Sequence, residues 1–323
     1  MNLSLYLAYI KKVWGEVKLI SSRYGISRFW VLCDYSWCLI RHGCLINQYT
    51  RGHFHLMTEL IRRNAFTQRR VEKVIKKYNA SNYIHLLENK NEFNTFFKNY
   101  IKRDWLYLEE MTLESFSKLF KSHEELFLKP LDDMEGHGIR IVITRDNTCE
   151  QLYEELKGKK IIIETIIKQH EKLILGNKSV NSARVLTVID SKGKAHVIRA
   201  GLRAGVGNAI VDNYSAGGVL YEIDVETGII DHKGIQGNNY NIIFHPGTNK
   251  CMLGYKLPNW DVAMVSVKKA AELIPQCRFV GWDVAFTPDG IELIEGNHNP
   301  GLFTMESLGT PAAYAETMKI LKG

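Results

Sequence analysis

Residues 281–301 read Gly281-Trp-Asp283-Val-Ala-Phe-Thr-Pro-Asp-Gly290-Ile-Glu-Leu-Ile-Glu295-Gly-Asn297-His-Asn-Pro-Gly301, and this stretch decides the fold prediction. Two strand-like runs flank a Pro-Asp-Gly turn, which is typical of a β-hairpin. In such a hairpin Asp283 lies across from Glu295, and Asn297 lies two residues further on the same side. Three oxygen donors then converge, and magnesium prefers oxygen ligands. The stretch therefore predicts a magnesium site, whereas the alternative is a polar hairpin end without a metal.

The rest of the chain predicts an α+β fold, because mostly antiparallel strands accompany grouped helices. Residues 1–80 show apolar residues at helical spacing, residues 89–103 continue as a helix, and Thr112 is placed to cap another. One further helix is predicted at 260–274. Short β-rich runs separated by turn residues are ELFLKP, GIRIVIT, KIIIET, SARVLTVID, KAHVIRAGLR, VLYEIDVETG, FVGWDVAFT and GIELIEGN. We expect three segments, at 1–80, 81–160 and 161–323.

Composition places the chain among soluble globular proteins. Its 323 residues are 45% apolar and 24% charged, enough for two or three packed subdomains. No run approaches the roughly 18 apolar residues that span a bilayer, and the first residues do not resemble a signal peptide. The six cysteines match no zinc spacing, so reduced thiols are expected. We expect a cytoplasmic protein.

The positive charge is concentrated at the start of the chain. Residues 1–80 carry 14 Lys and Arg against 4 Asp and Glu, whereas the remainder carries 28 against 31. Such a region is either a solvated helical face or a contact surface for an anionic partner. A nucleic acid is disfavoured because no recognised binding motif accompanies the charge. An anionic membrane face or a lipid-linked sugar remains open.

Two weaker patterns suggest nucleotide binding. Lys129 ends a strand-like run and precedes a loop with Gly136-His137-Gly138, which suits a phosphate but does not match the Walker pattern. A buried strand then ends at Glu164, and Glu171 follows seven positions later, where it could accept ribose hydroxyl hydrogens. Taken singly, each pattern is also compatible with a surface hairpin or a core strand.

The order of these elements resembles the ATP-grasp superfamily from Asn89 to Gly301. The resemblance narrows to the sugar-transfer-associated ATP-grasp proteins, which are linked to bacterial surface-polysaccharide biosynthesis and related to α-L-glutamate ligases. The segments that carry it are Asp34-Tyr35, Arg41-His42-Gly43, Asn181 to Val185, Asp212 to Gly218 and Val280 to Asp283. It implies two α+β subdomains that grip ATP, with the phosphate lysines in the middle segment and the metal site in the last.

The resemblance also implies site roles. Lys90 and Lys129 would hold phosphates, and Glu171 the ribose. Asp283, Glu295 and Asn297 would hold two magnesium ions. The remaining cofactor-binding candidates are the lid residues Glu135, Gly136, His137 and Gly138, the adenine-site residues Glu164, Thr165 and Ile166, and Asn213, which would shape the acceptor side.

One position departs from the family. Some ATP-grasp ligases carry an arginine two residues before the first metal aspartate, where this chain has Gly281. A catalytic cation must then come from elsewhere, and the candidates are Arg184, Arg199 and Arg203, each of which could instead form a surface salt bridge.

The expected function is ATP-dependent joining of a carboxylate to an amine through an acyl phosphate, with an amino acid and a sugar as partners. The alternatives are a kinase that stops at phosphoryl transfer and a non-catalytic ATP-binding scaffold protein.

Overall fold

The computed structural model describes residues 3–107, 109, 111–131, 139–177, 179–207, 217–237, 239–301 and 313–323. Glu135, Gly136, His137, Gly138 and Asn213 lie outside the described residues.

The helices are α1 Leu3–Tyr24, α2 Arg28–His42, α3 Ile46–Arg51, α4 Glu59–Asn64, α5 Gln68–Tyr78, α6 His85–Glu88, α7 Lys90–Phe96, α8 Leu113–Ser122, α9 Cys149–Leu156, α10 Trp260–Leu273 and α11 Ala313–Lys322. Short 3-10 turns lie at Phe54–Leu56, Ser81–Tyr83, Lys98–Tyr100, Thr144–Asp146 and Glu171–Leu173. The strands are β1 Trp105–Tyr107, β2 Glu125–Pro130, β3 Arg140–Ile143, β4 Ile161–Thr165, β5 Ser182–Ile189, β6 Ala195–Ala204, β7 Val219–Ile223, β8 Gly234–Gln236, β9 Asn239–Ile242, β10 Phe279–Thr287 and β11 Gly290–Asn297.

Two sheets organise the described strands, and the α+β prediction is confirmed. The smaller sheet has the order β1-β4-β2-β3, and the larger has the order β11-β10-β5-β6-β7-β8-β9. All of their strand pairs are antiparallel. The predicted cap is also present, since the Thr112 hydroxyl accepts a hydrogen bond from the backbone N–H of Ser115 at the start of α8.

The larger sheet is covered on both faces. Alternation along β10 sends Trp282 into a core shared with α7 and α10, and sends Phe279 to the opposite face. That opposite face packs against apolar residues of α5 and α11. Asp283 is an even number of residues from Phe279, so it lies on this second face but further along the strand. The sheet therefore offers a polar surface beside a packed one.

The expected boundaries at residues 81 and 161 do not coincide with the limits of the two sheets and their cores. β4 lies in the middle of the smaller sheet, whose last strand therefore ends at Thr165 and not before residue 161. Leu87 and Phe93 pack in the core of the larger sheet, although the second expected segment begins at residue 81. Contacts between distant parts of the chain produce both differences, and strand-like sequence runs carry no information about them.

The N-terminal helices form their own apolar cluster around Val17, Val31 and Tyr49. Arg62 clamps it: its guanidinium donates to both oxygens of Asp34 at 2.8 Å. Gly43 ends α2 with φ 67°, and a side chain there would collide with Arg69. The Asp34 and Arg41-His42-Gly43 segments thus stabilise these helices.

Among the described residues, no helix combines the length and the apolar character needed to cross a membrane.

Candidate functional site

The β10–β11 hairpin brings the predicted oxygen donors together. Asp283 pairs with Glu295 across the hairpin, as predicted, and the amide of Asn297 donates to Glu295 Oε1 at 3.1 Å. The register shifts after Asp283, so Ile294 is an extra residue that forms a β-bulge. Bulges re-aim side chains, and here the bulge directly precedes Glu295.

Two arginines surround the carboxylate of Asp283. Arg184 on β5 donates to both of its oxygens, and Arg203 on β6 lies 2.6 Å from Oδ2. Burial by itself raises the pKa of Asp283, but the two guanidinium groups outweigh it and hold that pKa well below its usual range. Asp283 is therefore ionised, although its side chain is only 2% exposed.

Glu295 has the opposite character. Burial and the adjacent charge of Asp283 raise its pKa above the ordinary value. Its side chain nevertheless keeps 45% of its surface exposed, so its oxygens are accessible. An accessible carboxyl group beside an ionised one is a place where a cation relieves repulsion between like charges.

These residues fit a magnesium ion by the chemistry of their donors. Asp283, Glu295 and Asn297 offer hard oxygen atoms on one hairpin end. A carboxylate has about four acceptor positions, and the arginines use three of those on Asp283. The remaining one is shared with Glu295, which forms a side-chain hydrogen bond with Asp283.

The space at Gly281 is filled by neighbouring side chains. A Cβ atom there would lie 2.5 Å from Cβ of Pro300 and 3.0 Å from Cδ of Arg184. Arg184 also donates to the carbonyl oxygen of Pro300 at 2.7 Å. The absence of an arginine at position 281 thus leaves room for the arginine of the adjacent strand.

The two candidate phosphate lysines converge at the end of β2. Lys129 Nζ lies 2.5 Å from Glu164 Oε2, and Lys90 Nζ donates to the carbonyl oxygen of Pro130 at 3.1 Å. Lys129 and Glu164 are diagonal neighbours on one face of the smaller sheet, because Phe127 is the residue opposite Glu164. The pair fixes one lysine of the site in position.

Arg103 connects this pair to the β10–β11 hairpin, and the sequence did not reveal it. Its side chain is only 1% exposed, and it forms ion pairs with Glu164 at 3.0 Å and with Glu292 on β11 at 2.6 Å. It also donates to the amide oxygen of Asn94 at 3.1 Å. Burial alone raises the pKa of Glu164, but Arg103 and Lys129 lower it well below its ordinary range.

The same guanidinium holds the bulge. Arg103 donates to the carbonyl oxygens of Leu293 at 2.8 Å and of Ile294 at 3.2 Å. Since Ile294 is the extra residue before Glu295, Arg103 fixes the backbone that aims Glu295. No motif distinguishes Arg103 from Lys102 beside it, so only the tertiary structure identifies this role.

The sequence was compared with known proteins. A family model described as sugar-transfer associated ATP-grasp matches residues 69–319, which include every described residue of this site.

The chain belongs to the sugar-transfer associated ATP-grasp family.

Three solved structures resemble this chain at low identity. The ATP-grasp ligase PsnB, in a complex with Mg and ADP, is 14% identical with a TM-score of 0.46, and covers 75% of this chain and 61% of its own. The ADP complex of purK, an N5-carboxyaminoimidazole ribonucleotide synthetase, is 12% identical with a TM-score of 0.46. The match covers 78% of this chain and 56% of the purK chain. An L-amino acid ligase from Bacillus licheniformis is 15% identical with a TM-score of 0.42, covering 74% and 49%.

This chain therefore spans less than two thirds of the length of these three proteins. A search of curated proteins finds no match.

The other described candidate residues of this ATP-grasp chain lie on β4 or just after it, in the 3-10 turn that follows, and on β6. Thr165 is buried, and its hydroxyl accepts from the backbone N–H of Asp104 at 3.0 Å. Ile166 is partly exposed, and Glu171 is exposed at the start of a 3-10 turn. Arg199 donates to Glu316 of α11 at 2.9 Å, away from Asp283. Its catalytic role remains a prediction without support from this arrangement.

Proposed function

We propose that this ATP-grasp protein is an ATP-dependent carboxylate–amine ligase that forms an amide through an acyl phosphate. The observation that carries the proposal is the end of the β10–β11 hairpin, where Asp283, Glu295 and Asn297 meet two arginines. An array of oxygen ligands and cations suits a reaction in which negative charge spreads over a transferred phosphoryl group.

Lys90 and Lys129 would bind the phosphates of ATP. An ammonium group has three N–H donors, and Glu164 engages one of those on Lys129, so the others remain for phosphate oxygens. Glu164 would then position Lys129, while the backbone from Glu164 to Ile166 would meet the adenine and Glu171 the ribose.

Asp283, Glu295 and Asn297 would hold magnesium, as two ions in this proposal. When bound, the metal would neutralise phosphate charge and orient the phosphates. Arg184 and Arg203, which balance the charge of Asp283, would be the cations that contact the reacting phosphoryl group.

The proposed reaction has two steps. An oxygen of the substrate carboxylate attacks the γ-phosphorus, the bond to the β-phosphate oxygen breaks, and ADP leaves. The amine nitrogen then attacks the acyl carbon, the bond to the phosphate oxygen breaks, and inorganic phosphate leaves with the electron pair. The nitrogen loses one proton as the amide forms.

The proposed partners are an amino acid and a sugar, either free, nucleotide-linked or lipid-linked, in the making of a bacterial surface polysaccharide. The family description, sugar-transfer associated, supports this substrate class. We place the protein in the cytoplasm.

An ADP-release screen tests the proposal, with amino acids paired with uronic and amino sugars and mass spectrometry of each product. We expect one pair to give ADP, phosphate and an amide. Glu295→Ala should abolish turnover without changing the circular dichroism spectrum, whereas Glu226→Ala, which removes an exposed carboxylate in a turn, should retain it.

Other outcomes would favour other functions. A stable phosphorylated product would indicate a kinase. ATP binding with no turnover for any pair would favour a scaffold protein. Full activity in Glu295→Ala would refute the assignment of the metal ligands.

A further inference from the structure

The first two helices expose a large apolar surface that the ligase site does not use. On α2, Phe29 is 77% exposed, Ile40 is 74% exposed and Trp37 is 53% exposed. On α1, Leu5, Leu7, Ile10 and Trp14 are also exposed. These helices precede residue 69, where the family match begins.

The exposed residues of α2 form one continuous stripe. At 3.6 residues per turn, five of them fall within an arc of about 100°. The buried residues Val31, Tyr35 and Cys38 lie on the opposite side of the helix. The stripe, which we call the α2 stripe, consists of Phe29, Trp30, Cys33, Trp37 and Ile40.

The first turns of α1 project from the fold. Every residue from Ser4 to Lys12 is exposed, although this segment includes five large apolar or aromatic side chains, those of Leu5, Tyr6, Leu7, Tyr9 and Ile10. A short loop joins α1 to α2, and the Tyr9 hydroxyl lies 2.7 Å from that of Tyr35, so the projecting turns run beside the second half of α2.

Basic side chains accompany this apolar surface. Both helices together carry the exposed basic residues Lys11, Lys12, Lys18, Arg23, Arg28 and Arg41. Their only acidic residues are Glu16 and Asp34, and Asp34 is neutralised by its ion pair with Arg62. Lys18 Nζ lies 5.7 Å from the centre of the Trp14 ring, so charge and aromatic surface are adjacent.

We propose that α1 and α2 form a docking surface for an anionic lipid bilayer, with the α2 stripe and the first turns of α1 inserted at the headgroup level. Tryptophan, tyrosine and phenylalanine beside lysine and arginine are typical of interfacial helices. Each basic residue near an anionic surface adds about 1 kcal/mol of attraction. This surface is independent of the ligase reaction proposed above.

A bilayer fits better than a second protein copy. The projecting end of α1 contacts α2 through Tyr9 and exposes Leu5, Tyr6, Leu7 and Ile10 around most of the rest of its circumference. A lipid interface can cover these side chains without a matched binding groove. The excess of positive charge also opposes self-association of the same surface, because like charges repel.

Vesicle flotation of the full chain tests the proposal. We expect binding to phosphatidylcholine vesicles that contain phosphatidylglycerol, weaker binding to pure phosphatidylcholine, and a loss of binding at high salt. Phe29→Ser with Ile40→Ser should lower the partition coefficient by about tenfold or more. Val265→Ser, at an exposed position on α10, is the matched control and should bind like the original chain.

Tryptophan fluorescence locates the contact. Trp14, Trp30 and Trp37 are exposed, whereas Trp260 and Trp282 are buried. Brominated phosphatidylglycerol should quench the tryptophan fluorescence of the original chain. The fluorescence of the Trp30→Phe variant should be quenched less. Unchanged vesicle binding by the double variant with Phe29→Ser and Ile40→Ser would overturn the proposal. So would a lack of vesicle binding together with a dimer, seen by analytical ultracentrifugation, that the Phe29→Ser and Ile40→Ser variant abolishes.

Discussion

At the scale of single residues, Arg103 explains how the two halves of the site keep their geometry. Its guanidinium contacts Glu164, which holds Lys129, and also Glu292, next to the bulge that aims Glu295. A buried charge is tolerated only when partners compensate it, and here two carboxylates and two carbonyl oxygens do so. One side chain therefore links Lys129, the proposed phosphate ligand, to the β10–β11 hairpin, where we propose that magnesium binds.

Replacing Arg103 should strongly destabilise the fold. Arg103→Met leaves Glu292 buried without its cation, and we expect the free energy of unfolding to fall by about 3–5 kcal/mol. Urea denaturation measures the change. Lys102→Met is the neighbouring control, since Lys102 is exposed, and should change stability by less than about 0.5 kcal/mol. Equal stability of the two variants would contradict the network.

A second residue-scale prediction concerns Gly281. Gly281→Ala introduces a methyl group against Pro300 and Arg184, and overpacking of this kind costs about 1–3 kcal/mol of stability. Thermal unfolding measures it. Gly15→Ala is the control, because a Cβ atom at position 15 would meet no atom within 4 Å. Alanine within a helix should also slightly stabilise α1. If Gly281→Ala is as stable as the original chain, the space is not filled as described.

At the scale of elements, the sequence predicted what local spacing determines. The hairpin register followed from the turn and from alternation, and it placed Asp283 opposite Glu295. The helix at 260–274 was confirmed as α10 for the same reason. Strands β1 and β8 have only three residues each, too few for a periodic pattern, and were not predicted.

Tertiary contacts override local propensity elsewhere. The helix predicted over residues 89–103 ends at Phe96, because the chain must turn so that the backbone and side chain of Arg103 reach Glu292. Among the site residues, the glycine at position 281 suggested that another arginine supplies the cation, and Arg184 was one of three candidates. In the structure, Arg184 donates a hydrogen bond to Asp283. Arg103 itself could not be predicted, since its two carboxylate partners, Glu164 and Glu292, come from distant strands, β4 and β11.

The turn after α3 provides a pH-dependent prediction. Burial, with the nearby His55 and Arg23, lowers the pKa of His53 from 6.5 to about 4. The unfolded chain therefore binds a proton between these values that the folded chain does not. Stability is complete above pH 6.5 and falls as the pH decreases toward 4, by about 3 kcal/mol from this residue.

His53→Asn should reduce that pH dependence. Asparagine tolerates the left-handed backbone, φ 53°, that His53 adopts. Urea denaturation of both proteins across this pH range provides the test. We expect their stabilities to differ most at high pH and to converge as the pH falls. Parallel curves would show that His53 does not titrate in this way.

At the scale of the whole molecule, the proposed nucleotide site connects two sheets with separate cores. The smaller sheet contributes Lys129 and Glu164, and the larger contributes Asp283, Glu295 and both arginines. The N-terminal helices form another cluster, whose exposed surface we assign to membrane contact. Nucleotide binding and membrane binding should therefore be separable by mutation.

Calorimetric binding of a non-hydrolysable ATP analogue, with and without magnesium, directly tests the proposed magnesium–ATP site. We expect magnesium-dependent binding whose affinity falls by about tenfold or more, about 1.4 kcal/mol, in both Glu295→Ala and Lys129→Met. The Glu226→Ala control should bind like the original chain. Equal affinity in all four proteins, or binding unaffected by magnesium, would contradict the account.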